Sequence, residues 1–369
     1  MLLLFGGGFL SSENDEPDPK TTQPGKTTDF ITRIDGAISQ TFLDIGIPKK
    51  SIYRKQKDAI EQLPESKITD ITIKINKRFP AALVNHAFQQ AVIDSGGRII
   101  DAYEKKSATE IYLHLGYGEI LTHRLRIKRI SGAPVDSAYV ALVIDDFGDY
   151  TVPIAKKFFE LNISFSASIL PNGKYTSDVL NELDKHNRIE RLVHIPMEPK
   201  AYPRIDPGAD AILVSLDDRD ILKLVEKMLA DIPGAVGANN HMGSKATENS
   251  RVMFQVLRVL RDAGFFWVDS RTTPYSVAED IAKEKGVPAT HIDHIIDPPG
   301  ITEDEIEKRL FDYCFKARRM PAMIINCHCS DTTAKILKRD IPPLIQYGIK
   351  FITVSQAMEK KEKWKQGGT

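Results

Sequence analysis

The amino-acid sequence predicts a seven- or eight-stranded (β/α) barrel preceded by a small α+β domain, and three observations carry that reading. From Ala138 onward, short runs that are apolar throughout alternate with amphipathic helical stretches, the pattern of a parallel sheet covered on both faces. Seven or eight such units favour a closed barrel over an open doubly wound sheet, and no Gly-x-Gly-x-x-Gly follows the first run to suggest a dinucleotide site. Residues 30–131 instead mix helical periods with alternating strands in hairpin order. A chain of 369 residues, 42% hydrophobic, can bury one large core and one small one.

Taken in order, Met1–Leu10 is apolar but shorter than the about 20 residues that span a bilayer, and no basic residue precedes it. It reads equally as the end of a signal or anchor that starts upstream and as an untidy terminus. Residues 11–29 are polar, Pro-rich and aperiodic, which predicts a disordered tether. A tether behind an apolar tip suits an enzyme held at a membrane and facing the cell envelope. Phe30, Ile34, Ile38, Phe42 and Ile45 recur at helical spacing until Gly46 and Pro48 stop the helix. Residues 68–75 alternate as a strand, and 81–95 form a helix ending at Gly96-Gly97. RIIDAYE, EIYLHLG and ILTHRLRIK follow as strands, the last two a hairpin around Tyr117-Gly118. This α-β-α-β-β-β block carries no chemical motif. A break at 131–134 separates it from the barrel over 138–358, and 359–369 is a polar tail.

The barrel runs are YVALVI (139–144), ISFSASIL (163–170), RLVHI (191–195), AVGA (235–238), FFWVD (265–269), THIDHII (290–296), AMIIN (322–326) and KFITV (350–354). Barrel enzymes carry their chemistry at the C-terminal ends of strands. There the sequence places Asp145-Asp146, His194 with Glu198, Asn239-Asn240-His241, Asp269-Ser270-Arg271, Asp293 with Asp297, and Cys327-His328-Cys329. Each has a bland structural role: Asp145-Asp146 as a helix cap, His194 as a core histidine, Asn239-Asn240-His241 as a turn, Asp269-Arg271 as an ion pair. The functional reading rests on their convergence. His291-x-x-His294 is set aside, because that spacing on a strand turns the rings to opposite faces.

Lys+Arg and Asp+Glu are both 50, a balance that argues against a nucleic-acid partner and leaves sugars open. The odd count of three cysteines excludes a fully paired framework, so Cys314, Cys327 and Cys329 read as free. One carboxylate with two imidazoles is a common catalytic zinc set. A neighbouring carboxylate can take a proton from water and a histidine can give one to a leaving amine. Adjacent Asp residues can divide the ligand and base roles.

The ordered motifs IDDFG, HIPMEP, GANNHMGS and VDSRTT, with the loop AYPRIDPGADAILVSL, resemble the divergent polysaccharide deacetylase family over roughly 138–358. The resemblance implies a distorted (β/α) barrel, a divalent metal, zinc foremost, and removal of N- or O-acetyl groups from a polysaccharide. It implies Asp145 as base, Asp146 and His194 as ligands, and His328 as acid. The superfamily's second histidine is absent: Glu198 stands four residues after His194. The third ligand is therefore His241 or Glu198, with His241 preferred on the adjacent strand and Glu198 kept as a catalytic candidate. Asn239, Asn240, Asp269, Arg271 and Asp293 are candidates for binding substrate. The missing histidine also motivates an alternative, an inactive glycan-binding scaffold on the same barrel. Oligomeric state is not legible.

Overall fold

A computed structural model describes residues 24–60, 63–79, 81–105 and 109–367. The chain divides into two compact units: the described part of Met1–Phe42 with Ile47–Pro134, and Leu43–Gly46 with Val135–Thr369.

The first unit contains α1 (Pro24–Asp44), β1 (Ile52–Ile60), β2 (Leu63–Asn76), α2 (Ala81–Asp94), β3 (Arg98–Lys105), β4 (Glu110–Tyr117) and β5 (Ile120–Ile130). The strands form one mixed sheet in the order β1-β2-β5-β4-β3. Ile71, Ile73 and Ile75 alternate inward on β2, as do Ile111, Leu113 and Leu115 on β4 and Leu125 and Ile127 on β5. The buried stripe Phe30, Ile34, Ile38 and Phe42 of α1 completes this core with Phe88 of α2, whose ring meets Phe42 at 5.5 Å. Two expectations are corrected. Strand β1 was not anticipated, because IYRKQKDAI buries only its last residue and shows no apolar period. Helix α1 begins at Pro24, so residues 24–29 of the expected tether are helical. The apolar tip and the rest of that tether lie outside the described residues.

The second unit runs β6 (Ala138–Phe147), α3 (Val152–Phe159), β7 (Phe165–Ile169), α4 (Thr176–Leu183), β8 (Ile189–Met197), α5 (Asp218–Asp231), β9 (Ala235–Met242), α6 (Ser250–Ala263), β10 (Phe266–Asp269), α7 (Ala278–Lys285), β11 (Ala289–His291), β12 (His294–Ile295), α8 (Glu303–Lys316), β13 (Met323–His328), α9 (Asp331–Gln346), β14 (Ile349–Ile352) and α10 (Val354–Gly367). All its strand pairs are parallel, in the order β11-β10-β9-β8-β7-β6-β13-β12. This is the distorted (β/α) barrel, and the distortions have two identifiable sources. First, the expected single strand 290–296 is split. Ile292 N donates to Asp269 O of β10, whereas the next residue, Asp293 N, donates to Ile324 O of β13. One short stretch thus bridges the two ends of the sheet order. Second, β14 pairs with β6 over Ala138–Ala141 on the edge opposite β13, the edge that β7 takes from Val143 onward. The expected polar tail after 358 is the continuation of α10.

Strand parity sets the interior. Ala141 and Val143 of β6, Leu192 of β8, Val268 of β10 and Ile324 of β13 form one buried cluster. Gly237 of β9 belongs to the same layer, since a Cβ there would meet the Phe266 ring at 2.5 Å. Two residues further along each strand, the same face presents Asp145, His194, Asn239, Ser270 and Asn326. A polar layer therefore sits on the apolar one at the C-terminal end of the barrel.

Candidate metal centre

Asp145 and Asp146 are neighbours on β6, and ordinary pleating would turn them to opposite faces. A β-bulge prevents this: Ile144 pairs with Ala167 and Phe147 with Ile169, so two residues of β6 oppose Ser168 alone. Asp146 sits at φ 66°, a left-handed conformation that costs an L-residue about 1–2 kcal/mol. Both carboxylates consequently border one cavity of ≈ 590 Å³, together with Tyr150, His194, His241, Asp297 and His328. Met242 (φ 54°) and Arg271 (φ 48°) mark the ends of β9 and β10 in the same conformation, so non-glycine strain gathers at this end of the barrel.

Asp146, His194 and His241 present three ligand atoms that lie within 4.8 Å of one another. Asp146 Oδ1 is 3.2 Å from His194 Nε2 and 3.0 Å from His241 Nδ1, and the two nitrogens are 3.3 Å apart. Yet Asp146 Oδ1 is buried without an aligned hydrogen bond. Asn239 explains why. Its Nδ2 donates to Asp145 Oδ1 at 3.0 Å, so its Oδ1 faces His194 Nδ1 at 2.9 Å, where it also accepts from Ser168 Oγ. His194 Nδ1 therefore carries a hydrogen, and in the neutral ring Nε2 offers its lone pair to the cavity. Three lone-pair atoms converging on one point fit a divalent cation. Burial alone would raise the Asp146 pKa, but the two imidazoles outweigh it and hold the carboxyl well below the usual range. Burial also opposes charge on His194, but Asp145 and Asp146 prevail and raise its pKa. A cation would take the place of that proton.

Asp145 is buried, 3.8 Å from His194 Nε2 through Oδ2. Asn239 holds its Oδ1, and Asn326 Nδ2 donates to its Oδ2 at 2.8 Å. Hydrogen bonds to a charged group contribute about 1.5–3 kcal/mol each, which offsets burial of the carboxylate. His328 is the register partner of Asp145 on β13. Its Nδ1 meets Asp297 Oδ1 at 2.9 Å, and its backbone N–H donates to Asp297 Oδ2 at 2.9 Å. Burial lowers the His328 pKa, but Asp297, with Asp145 and Asp146 beyond it, raises it to about 9.

The remaining sequence candidates fall elsewhere. Glu198 does not border the cavity: its carboxylate accepts from Lys245 Nζ at 2.6 Å and from Val214 N at 2.6 Å, because the chain has turned beyond β8 by that point. Asn240 borders the cavity, donates to Met242 O and accepts from Ser270 N. Asn239 lies beneath the cavity and supports Asp145 and His194. Asp269 has the outward parity of its strand and accepts from Arg271 N. Arg271 and Asp293 border a second, neighbouring hollow. His291 and His294 border it too, because they belong to separate strands, with His291 paired to Glu279 and His294 stacked on Tyr313. Neither joins a metal-ligand cluster among the described residues. Asp297, placed by the sequence at a strand end, borders the cavity and holds His328, whereas the sequence reading names neither Asn326 nor Tyr150. Asn326 carries the one readable signal, a polar residue closing an apolar strand. All three cysteines are free and buried.

The profile of the divergent polysaccharide deacetylases matches residues 142–358. An uncharacterized protein of Haemophilus influenzae (strain Rd) is 29% identical over 211 residues, 56% of this chain and 73% of that protein. The uncharacterized protein YibQ of Escherichia coli K12 is 27% identical over 214 residues, 57% of this chain and 66% of YibQ. The crystal structure of the uncharacterized protein ATU2773 from Agrobacterium tumefaciens C58 has a TM-score of 0.56 at 23% identity, covering 62% of this chain and 91% of that one, a likeness of fold. Since the matched profile spans more than half of the 369 residues, the chain belongs to the divergent polysaccharide deacetylase family.

Proposed function

We propose that the protein is a metal-dependent hydrolase that removes N- or O-acetyl groups from an amino-sugar polysaccharide of the cell envelope. The observation that carries this reading is the convergence of Asp146, His194 and His241 within 4.8 Å, with Asp145 beside them. A divalent cation, zinc by the chemistry of an Asp-His-His donor set, would be held by these three and supply Lewis-acid polarisation of the acyl carbonyl.

The chain's own residues account for the proton movements. Asp145 takes the proton from the attacking water, and its two amide donors keep the carboxylate aimed at the cavity. His328, held protonated by Asp297, gives a proton to the leaving amine nitrogen as the C–N bond breaks. Strand order supports this division of labour. Asp145 on β6 stands between the ligand strands β8 and β9 on one side and the acid strand β13 on the other.

The test combines metal analysis of the purified protein with acetate release from acetylated chito-oligosaccharides and peptidoglycan fragments. Stoichiometric zinc and acetate release are expected. Asp145→Asn should lower the rate by about 10²–10⁴-fold while leaving the metal bound. Protein that takes up no metal would overturn the reading. An extracytoplasmic location with a membrane tether belongs to the same proposal, and no helix among the described residues is long and apolar enough to cross a membrane. Cell fractionation tests it.

A further inference from the structure

The second hollow, ≈ 490 Å³, shares Ser270, Ile295 and Pro298 with the catalytic cavity, so the two adjoin across those residues. Its chemistry differs. Arg271, His291 and Arg309 border it, and Asp293 is the one carboxylate among its lining residues. Asp293 is already answered: Ile324 N donates to its Oδ2 at 2.7 Å, Lys361 Nζ lies at 3.4 Å, and His291 Nε2 is 3.5 Å from Oδ1. His291, paired with Asp293 and Glu279, has a pKa raised to about 9 and is an imidazolium at neutral pH.

Arg309 is the unanswered charge. It is half-buried on α8, and among the described residues it forms no ion pair with a carboxylate. Its hydrogen bonds there are two contacts of 3.4 Å, to Ile295 O and to the Tyr313 hydroxyl, both long for N–H···O. Glu305, one turn earlier, feels its charge but is committed to capping Thr302. A planar guanidinium with open donors suits a carboxylate or phosphate. Beside it, the Tyr313 and His294 rings stack on each other at 4.0 Å and 7°, and both residues border the hollow.

We propose that this hollow, built on Arg309 with Arg271 and His291, both paired to Glu279, beside it and bordered by the Tyr313–His294 stack, binds an anionic group carried by the glycan close to the acetyl group that is removed. The substrate is accordingly an acidic polysaccharide bearing carboxylate or phosphate. This rests on the hydrolase reading for the role of the adjoining cavity, whereas anion binding itself can be read without catalysis.

The experiment is calorimetric binding to the full zinc-loaded chain of three probes. They are a tetrasaccharide alternating N-acetylglucosamine and N-acetylmuramic acid, its carboxyl methyl ester, and inorganic phosphate as competitor. The acid should bind about tenfold more tightly than the ester, the worth of one charge-assisted hydrogen-bonded contact. Arg309→Gln should erase that difference without weakening the ester, and Arg309→Lys should restore part of it. Competition by phosphate extends the subsite to phosphate esters, and its absence restricts the subsite to carboxylates. Equal binding of acid and ester by the wild type, or an equal loss of both in Arg309→Gln, overturns the proposal. If the acid–ester gap stands while no glycan releases acetate, the hydrolase reading fails and the anion subsite survives.

Discussion

Each unit of this protein buries a histidine beside an aspartate, and only one of the two pairs lies in a cluster of possible metal ligands among the described residues. In the N-terminal unit His123 is wholly buried, with Nε2 3.4 Å from Asp35 Oδ1 and Nδ1 2.9 Å from Thr122 Oγ1. In the barrel His194 is equally buried, with Nε2 3.2 Å from Asp146 Oδ1 and Nδ1 2.9 Å from Asn239 Oδ1. Pairwise geometry scarcely separates them. What differs is the company. His194 faces a second imidazole, a second carboxylate and an open cavity, whereas the described neighbourhood of His123 offers no comparable cluster of ligands. A buried histidine beside an aspartate, even one such as Asp35 that is part-exposed and shared with Arg54, is thus ordinary construction until other lone pairs converge on it.

Substitution at the two aspartates should break the resemblance most sharply. Asp146→Ala is expected to abolish stoichiometric zinc, read by elemental analysis, and activity with it. A variant that keeps its zinc would show that the cation sits elsewhere. Asn239→Ala removes the group that fixes both the His194 tautomer and Asp145. It should cost about 10–100-fold in metal affinity or activity, measured by chelator competition and acetate release.

A subtler change acts through protonation. His328 has its pKa raised to about 9 in the folded protein, so its donor form persists through neutral pH. The rate should fall as pH climbs through about 9, and Asp297→Asn should shift that limb toward about 6.5, the ordinary imidazole value. The sign for stability follows the same direction. A raised folded pKa stabilises the fold fully below about 6.5, and that contribution is lost as pH rises from there through about 9. A pH–rate profile that is unmoved in the Asp297 variant would remove His328 from the acid role. The smallest effect is expected at the structural pair. Asp35→Ala should lower stability by about 1 kcal/mol, visible in denaturant unfolding, with metal content unchanged.

Much of the architecture was legible in local pattern. Each apolar run from 139 to 354 except 290–296 overlaps one barrel strand, because strands buried on both faces must be apolar along their length. The polar residues closing those runs could be named as candidates for the same reason, since the interior face has to become hydrophilic where it meets solvent. Elements lacking such a period escaped. β1 is an exposed strand with one buried residue, and 290–296 changes hydrogen-bonding partner in mid-run, which no periodicity records.

The choice among candidates was made by tertiary structure. Strand alternation alone would have separated Asp145 from Asp146, and only the bulge opposite Ser168 brings both to one cavity. Spacing alone would have kept Glu198 level with His194, yet the chain turns beyond β8 and commits that carboxylate to Lys245 and Val214. His241 reaches the site because β9 lies beside β8 with Asn239 opposite His194, a register set by pairing between segments 45 residues apart. The sequence by itself therefore determined which residues could do chemistry and on which end of which strand they stand, because burial dictates residue type locally. Which of them meet depends on backbone irregularities and cross-strand register. Those are settled by the packing of the whole barrel, so no single segment carries the information.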